Sequence, residues 1–114
     1  MKEIKAIIQP FMLSRVINAL KELKELPGLT VDSDVKGFGK SRAEHAKAKI
    51  VEDLVEYAKK VKLEIVVPDR LVETVVQIIQ ANAHSGTPGD GKIFVYPVED
   101  VVKIRTGERG DKAI

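Results

Sequence analysis

Apolar positions in the first third of the chain follow two different spacings. An apolar run at residues 6–8 is ended by Pro10, and such a run is typical of a buried strand, predicted here over residues 5–9. Over residues 13–23, apolar side chains recur every three or four positions, which places them on one face of a helix. Weaker alternation over residues 29–35 predicts a second strand.

The second half of the chain repeats this order. Apolar and charged residues alternate over 61–67, which predicts a strand with one buried face. A proline and Asp69 follow, and Asp69 is expected to be the N-cap of a helix over 71–83. Further strands are predicted over 93–96, after a glycine-rich loop, and over 101–105 near the end of the chain.

The predicted elements follow the order β-α-β-β-α-β, with one short extra strand. This order predicts an α+β, ferredoxin-like fold, in which two helices pack on one face of an antiparallel sheet. The opposite face, to which Val66 points, would remain open. A small protein commonly covers such a face by oligomerising.

The segment between residues 40 and 60 is long for a connection between two neighbouring strands, which usually takes about 2–5 residues. Its residues 41–60 contain no Gly or Pro and are rich in good helix formers. Ala46, Ile50 and Leu54 are four apart, as on one helix face. The segment is either a third helix packed on the domain or an arm that folds on a partner protein.

Composition narrows the class of protein. A length of 114 residues fits one domain, residues 1–114. The 19 basic and 17 acidic residues give a net charge of +2. This charge is too small to favour binding to nucleic acid or to an anionic membrane. The lack of cysteine excludes disulfides and thiolate sites. No signal peptide and no apolar run of the ~20 residues that span a bilayer is visible, so we expect a cytoplasmic protein that does not insert into membranes.

The most informative stretch runs from Ser85 to Val95, with three glycines and a proline before Lys92. Glycine lets backbone N–H groups approach an anion, and a lysine beside them adds a point charge. This combination favours a phosphate site, although the pattern also fits a loop that merely enters a strand. On the predicted last strand, Lys103 and Arg105 would share a face and suit a polyphosphate. The alternative is two solvated surface cations.

Catalytic chemistry finds little support in the sequence. The two histidines, His45 and His84, have no neighbour at metal-ligand spacing, and no nucleophile accompanies a base. The Gly-Lys pair at 91–92 is followed by Ile, so the loop is not a Walker A motif. We therefore expect no catalytic residues, no metal held by protein side chains and no enzyme.

Five segments together resemble the PII signal-transduction family, the nitrogen regulatory P-II proteins. They are the opening Met1-Lys-Glu-Ile-Lys-Ala-Ile-Ile-Gln-Pro-Phe, Val35-Lys-Gly-Phe-Gly, the stretch from Lys60 to Asp69, Gly89-Asp-Gly-Lys-Ile-Phe-Val, and Ile104-Arg-Thr-Gly-Glu. The resemblance spans the whole chain. It implies a homotrimer of ferredoxin-like domains with a T-loop at about 40–60, a B-loop at about 84–92 and a C-loop at about 106–114.

The resemblance also implies sites for ATP or ADP in the clefts between subunits. At the T-loop base, it implies Gly37, Gly39, Lys40 and Ser41; beside the adenine, Thr30, Glu64 and Val66. From the B-loop, it implies Gly89, Asp90, Gly91 and Lys92; from the neighbouring subunit, Lys103 and Arg105. Mg²⁺ would accompany ATP. The T-loop would bind a target transporter or enzyme, in a conformation set by the bound nucleotide.

Several positions depart from the family pattern. Ser41 stands where the family has a glutamine that ligates Mg²⁺ in the complex with 2-oxoglutarate, which puts 2-oxoglutarate binding in doubt. Lys60, which the resemblance implies as a contact of the 2-oxoglutarate carboxylate, is retained. Lys103 replaces an arginine and keeps only the charge. The position of the uridylylated tyrosine holds Asp53, so we expect no uridylylation.

The sequence therefore favours a nucleotide-sensing regulator of the P-II type. Two other classes stay open: a trimeric interaction protein of the CutA kind that binds no nucleotide, and a nucleotide-using enzyme on the same fold. The intact Gly-Asp-Gly-Lys loop argues against the first class and the missing nucleophile against the second.

Overall fold

The described residues, 1–37 and 58–114 of a computed structural model, form four strands and two helices. In chain order these are β1 (Lys2–Ile8), α1 (Leu13–Lys21), β2 (Thr30–Gly37), β3 (Ala58–Val67), α2 (Val72–Ala83) and β4 (Gly91–Pro97). This order confirms the predicted α+β, ferredoxin-like fold. The choice between a packed helix and an arm for the predicted T-loop lies outside the described residues, which include only its last three positions. In the two described parts of the chain, neither helix is long and apolar enough to cross a membrane.

The four described strands form an antiparallel sheet in the order β2-β3-β1-β4. β1 therefore lies between β3 and β4. Towards β4, Lys2 pairs with Pro97 at one end of the strand and Ile8 pairs with Gly91 at the other. The glycine-rich loop thus enters the sheet at the carboxyl end of β1.

One face of this sheet carries the core. Buried and partly exposed residues alternate along β1 and β3, so every second side chain lies under the helices. The largest fully buried side chains are Ile4 and Ile8 of β1, Val61, Leu63, Ile65 and Val67 of β3, Val16 and Leu20 of α1, and Val75 and Ile79 of α2. The other face, with Glu3, Lys5 and Val66, stays uncovered by the described helices.

The predicted strand over 101–105 is wrong. This stretch is a turn in which the Lys103 amide donates to the Glu108 carbonyl at 2.9 Å, and one isolated bridge continues the pairing. The segment pairs with its own continuation and not with the sheet. Lys103 and Arg105 therefore do not share a face of a sheet strand.

The predicted N-cap role of Asp69 is also wrong. A 3₁₀ turn, Asp69–Leu71, precedes α2, and the described residues supply neither element with a side-chain cap. Asp69 instead accepts a hydrogen bond from the Met1 ammonium at 2.9 Å, with the Lys2 ammonium at 3.8 Å. These cations, led by the hydrogen bond from the N-terminus, lower the pKa of the Asp69 carboxyl.

Several predicted boundaries shift by a few residues. β1 covers Lys2–Ile8 and not 5–9, β2 covers Thr30–Gly37 and not 29–35, and β4 covers Gly91–Pro97 and not 93–96. α1 ends at Lys21 and not at residue 23. β3 begins at Ala58 and not at residue 61, because residues 58–60 pair with residues 35–37 of β2. Backbone pairing with a neighbouring strand holds these residues in the sheet, although their side chains carry no alternating signal.

Gly91→Ala is expected to destabilise the fold by at least ~2 kcal/mol. Gly91 has a φ of +104°, and a Cβ there would lie 1.7 Å from the Ile7 carbonyl oxygen, so backbone strain adds to an overlap that the sheet must relieve. Gly107→Ala is the matched control, because Gly107 has a φ of +78° and no described residue has an atom within 4 Å of its added Cβ, so it should cost only about 1 kcal/mol. Urea unfolding measures both variants. Equal losses would show that the contact with Ile7 is unimportant.

Candidate functional site

The B-loop, residues 84–92, leads from α2 into β4 and is bent by glycines in the left-handed region. Gly86, Gly89 and Gly91 have φ values of +86°, +96° and +104°, which L side chains rarely adopt. Within residues 1–37 and 58–114, neither the Gly89 amide nor the Asp90 amide donates a hydrogen bond. Unpaired N–H groups in such a turn form a concavity that suits an anion.

The Asp90 carboxylate is turned into the B-loop itself. Its oxygens accept hydrogen bonds from the Ser85 amide at 2.8 Å, the Gly86 amide at 3.0 Å, the Gln9 side-chain amide at 3.1 Å and the Ser85 hydroxyl. The bonds from the Ser85 hydroxyl and then from the Ser85 and Gly86 amides lower the pKa of Asp90. A contact between Asp90 and a nucleotide stays a prediction, while the structure shows its side chain closing the loop.

Lys60 links β3 to the B-loop. Its ammonium donates a hydrogen bond to the Gly89 carbonyl at 2.8 Å. A Cβ added to Gly37 would lie 3.1 Å from Cγ of Lys60, so the glycine leaves room for the lysine stem. Three residues predicted at the site, Gly37, Lys60 and Gly89, are therefore neighbours.

A cavity of about 420 Å³ opens beside β2 and β3. Thr30, Glu64 and Val66, which the family resemblance implies beside the adenine, line it together with Ile114. Thr30 also pairs with Glu64 across the two strands. The structure thus brings these three residues together, at about 13–20 Å along β3 from Lys60.

Glu3 lines the same cavity and is absent from the predicted site residues. Its Oε2 atom is buried and has no hydrogen-bond partner among the described residues. Burial, followed by the neighbouring Glu64 carboxyl, raises the pKa of Glu3 against the opposing charges of Lys5 and Lys62. Sequence alternation places Glu3 on the open face, but only the strand register, which pairs it with Val66, brings it beside Glu64.

Lys92 is exposed at the start of β4, where it pairs with Ile7. It lines a second cavity of about 360 Å³ with His84 and Asp90. Nδ1 of His84 lies 3.7 Å from the Asp90 carboxylate, whereas the side-chain ammonium of Lys92 has no hydrogen-bond or ion-pair partner in the part of the chain that the structure describes. Among the described residues, the Lys92 ammonium is therefore an uncompensated positive charge, two and three positions after the unpaired Asp90 and Gly89 amides of the B-loop.

The other predicted residues do not join this site within the described chain. Gly39, Lys40 and Ser41 lie outside the described residues. Lys103, which forms an ion pair within its own turn, and Arg105 follow the end of β4 that is farthest from the B-loop.

Comparison with known proteins identifies the family. The family model for nitrogen regulatory protein P-II matches residues 1–108. The chain belongs to the nitrogen regulatory protein P-II family. This chain is 49% identical to nitrogen regulatory protein P-II of Azospirillum brasilense, 47% identical to that of Rhodospirillum rubrum and 48% identical to nitrogen regulatory protein P-II 1 of Escherichia coli K12. Each match spans 114 residues and covers 100% of both chains.

A solved P-II structure has the same fold. Arabidopsis thaliana PII bound to citrate is 41% identical, with a TM-score of 0.78, over 98% of this chain and 87% of that one. P-II proteins are regulators in signal transduction and not enzymes. The predicted family and the prediction that this chain is not an enzyme are therefore confirmed.

Glu3→Gln is expected to stabilise this P-II fold at neutral pH and to have less effect at acid pH. Because the pKa of Glu3 is raised in the folded state, the folded protein holds this proton more tightly than the unfolded chain. Stability therefore falls as the pH rises from the ordinary Glu pKa through the folded pKa, and the full cost is present above it. The cost fades as the pH falls towards the ordinary Glu pKa of about 4.3. Thermal unfolding of both proteins at about pH 7 and about pH 4 measures this difference.

Glu99→Gln is the matched control, because Glu99 is exposed. It should shift the melting temperature by similar small amounts at the two pH values. A gain for Glu3→Gln that is equally large at both pH values would contradict a raised pKa of Glu3 in the folded state.

Proposed function

We propose that this P-II protein binds ATP and ADP at the B-loop and the cavity beside β3, and that it controls a target transporter or enzyme in the cytoplasm through residues 40–60. Which nucleotide is bound would set the conformation of that segment, a population shift driven by differential contacts. The observation that carries this proposal is the B-loop. Its Gly89 and Asp90 amides, unpaired within residues 1–37 and 58–114, immediately precede Gly91 and Lys92, whose ammonium has no counter-charge in the same residues.

The B-loop has the properties that a polyphosphate requires. Its N–H donors can approach phosphate oxygens because left-handed glycines remove side chains from the path. Lys92 adds a compact positive charge. The Asp90 carboxylate, which would repel a phosphate, is occupied by donors of its own loop.

The cavity supports a place for the nucleoside. The Thr30 hydroxyl and the Glu64 carboxylate offer hydrogen-bonding groups for ribose and base. β3 runs without interruption from this cavity to Lys60, whose ammonium contacts the B-loop. A ligand that lies along β3 would meet both groups of residues.

A homotrimer would complete the site. Phe94 and Tyr96 lie on the uncovered face, where they pair with Lys5 and Glu3, and are 42% and 41% exposed to solvent. Ile104 of the C-terminal turn is 100% exposed. Several large apolar side chains with this much exposed surface typically mark an interaction surface. A neighbouring subunit would also supply Lys103 and Arg105, which one chain does not bring to its own B-loop.

The protein would bind Mg²⁺ together with ATP, but would not bind 2-oxoglutarate. Mg²⁺ is usually held by phosphate oxygens and water together with few protein ligands, so it can accompany ATP. Ser41 stands at the position where the family resemblance implies a glutamine ligand, which removes the support for a 2-oxoglutarate complex. The Arabidopsis protein was solved with citrate, so citrate is a suitable carboxylate comparator in binding experiments.

Lys92→Ala is expected to weaken ATP binding by about 1.5–3 kcal/mol, the range for a hydrogen bond to a charged group. This corresponds to roughly ten- to hundredfold in Kd. Calorimetry with ATP and Mg²⁺, and separately with ADP, measures the loss. Lys21→Ala at the end of α1 removes the same charge and should leave both affinities unchanged. If Lys92→Ala binds ATP as tightly as the wild type, the B-loop is only structural.

Light scattering is expected to give three times the mass of one chain. Phe94→Asp should produce monomers, because it places an unpaired carboxylate on the uncovered face. Phe11→Asp is the control, since Phe11 is 70% exposed and lies outside the sheet, and this variant should stay trimeric. A monomeric wild type would remove the intersubunit site.

A further inference from the structure

We infer that Asp90 is a positioning residue that shapes the B-loop for a phosphate, and that Gln9 holds it in place from β1. The inference rests on the proposed nucleotide function and changes the role of Asp90 within it. Asp90 would act through the backbone amides of its own loop and would not touch the nucleotide.

The hydrogen bonds of Asp90 are divided evenly between its two oxygens. Oδ2 accepts from the Ser85 amide at 2.8 Å and the Gly86 amide at 3.0 Å. Oδ1 accepts from the Gln9 side-chain amide at 3.1 Å and from the Ser85 hydroxyl. With two donors on each oxygen, the carboxylate closes the loop from residue 85 to residue 90.

Closure by the side chain determines which amides remain free. The Ser85 and Gly86 amides point to Asp90, whereas the Gly89 and Asp90 amides have no acceptor among the described residues. The carboxylate thus accepts hydrogen bonds from the amides in the first half of the loop. In the second half, next to Lys92, the amides stay unpaired within the described residues. An anion can bind there without competing with the bonds that hold the loop.

Gln9 is well placed to anchor this carboxylate. It follows Ile8, the last residue of β1, and its backbone is fixed by Pro10 on one side and by a 3.0 Å hydrogen bond from the Met12 amide to its carbonyl. Ile8 pairs with Gly91, so Gln9 lies one step beyond that rung and faces the loop. The position of Asp90 is therefore tied to the central strand of the sheet.

The negative charge of Asp90 lets the direction of the change in ATP affinity distinguish a positioning role from a direct contact with the phosphates. If the carboxylate faced bound phosphates directly, its removal in Asp90→Asn would relieve repulsion and leave ATP affinity equal or tighter. If it positions the loop, Asp90→Asn exchanges one acceptor oxygen for an amide group that faces donors, and ATP affinity should fall. The loss of charge-assisted hydrogen bonds makes a fall of about tenfold or more the expected result.

The experiment is calorimetry with ATP and Mg²⁺ on the wild type, Asp90→Asn and Asp69→Asn. Asp69→Asn is the matched control, because Asp69 is also a hydrogen-bonded carboxylate but lies at the opposite end of β1, on the Met1 ammonium. It should bind ATP as the wild type does. Equal or tighter binding by Asp90→Asn would overturn the inference and leave the proposed function standing. A wild type that binds no nucleotide would overturn both.

A double-mutant cycle tests the path through Gln9. Gln9→Ala should weaken ATP binding severalfold in the wild type and have little further effect in Asp90→Asn, because its contribution passes through Asp90. Independent, additive losses would contradict that path.

Amide hydrogen exchange in the nucleotide-free protein separates loop closure from a general loss of stability. Asp90→Asn should speed exchange at the Ser85 and Gly86 amides and leave the Gly110 amide unchanged, since Gly110 donates to the Val101 carbonyl and to Asp100. Unchanged exchange at Ser85 and Gly86 would overturn the positioning role even if ATP binding fell.

Discussion

The pairing of β1 with both β3 and β4 is the constraint on which the rest of the described structure depends. It sets which side chains of the central strands lie under the helices and which face the other way. A register shift of one residue would exchange buried Ile4 with Glu3 or Lys5. The same shift would displace Gly91 from Ile8 and Gln9 from Asp90. The core and the candidate site therefore share one determinant.

The two ends of the candidate site have opposite chemical character. At the B-loop, backbone donors and the Lys92 ammonium are unpaired within the described residues, whereas in the cavity a Glu3 carboxylate oxygen lacks a donor. Phosphates carry only acceptors at neutral pH, while ribose and adenine carry donors. A nucleotide lying along β3 with its phosphates at the B-loop would be complementary to both ends.

The sequence predicts what short-range periodicity controls and misses what depends on pairing between distant residues. Alternation over 61–67 correctly located the buried face of β3, and the glycines marked the B-loop. Val102 and Ile104 also alternate with cations, yet none of the four described strands pairs with them, and that stretch turns back on itself. Glu3 was missed because its neighbour Glu64 is 61 positions away in the chain and adjacent only through strand register.

Because of where Tyr96 lies, intrinsic tyrosine fluorescence can report on binding events without an added label. The chain has no tryptophan and two tyrosines, Tyr57 and Tyr96. The Tyr96 ring lies on the uncovered face, 5.0 Å from the Lys5 ammonium and 6.5 Å from the Phe94 ring, whereas Tyr57 belongs to the segment proposed to bind targets. Phenol emission therefore originates at a proposed subunit contact and at a proposed target contact. Replacing either tyrosine by phenylalanine would assign the spectroscopic signal to one of the two.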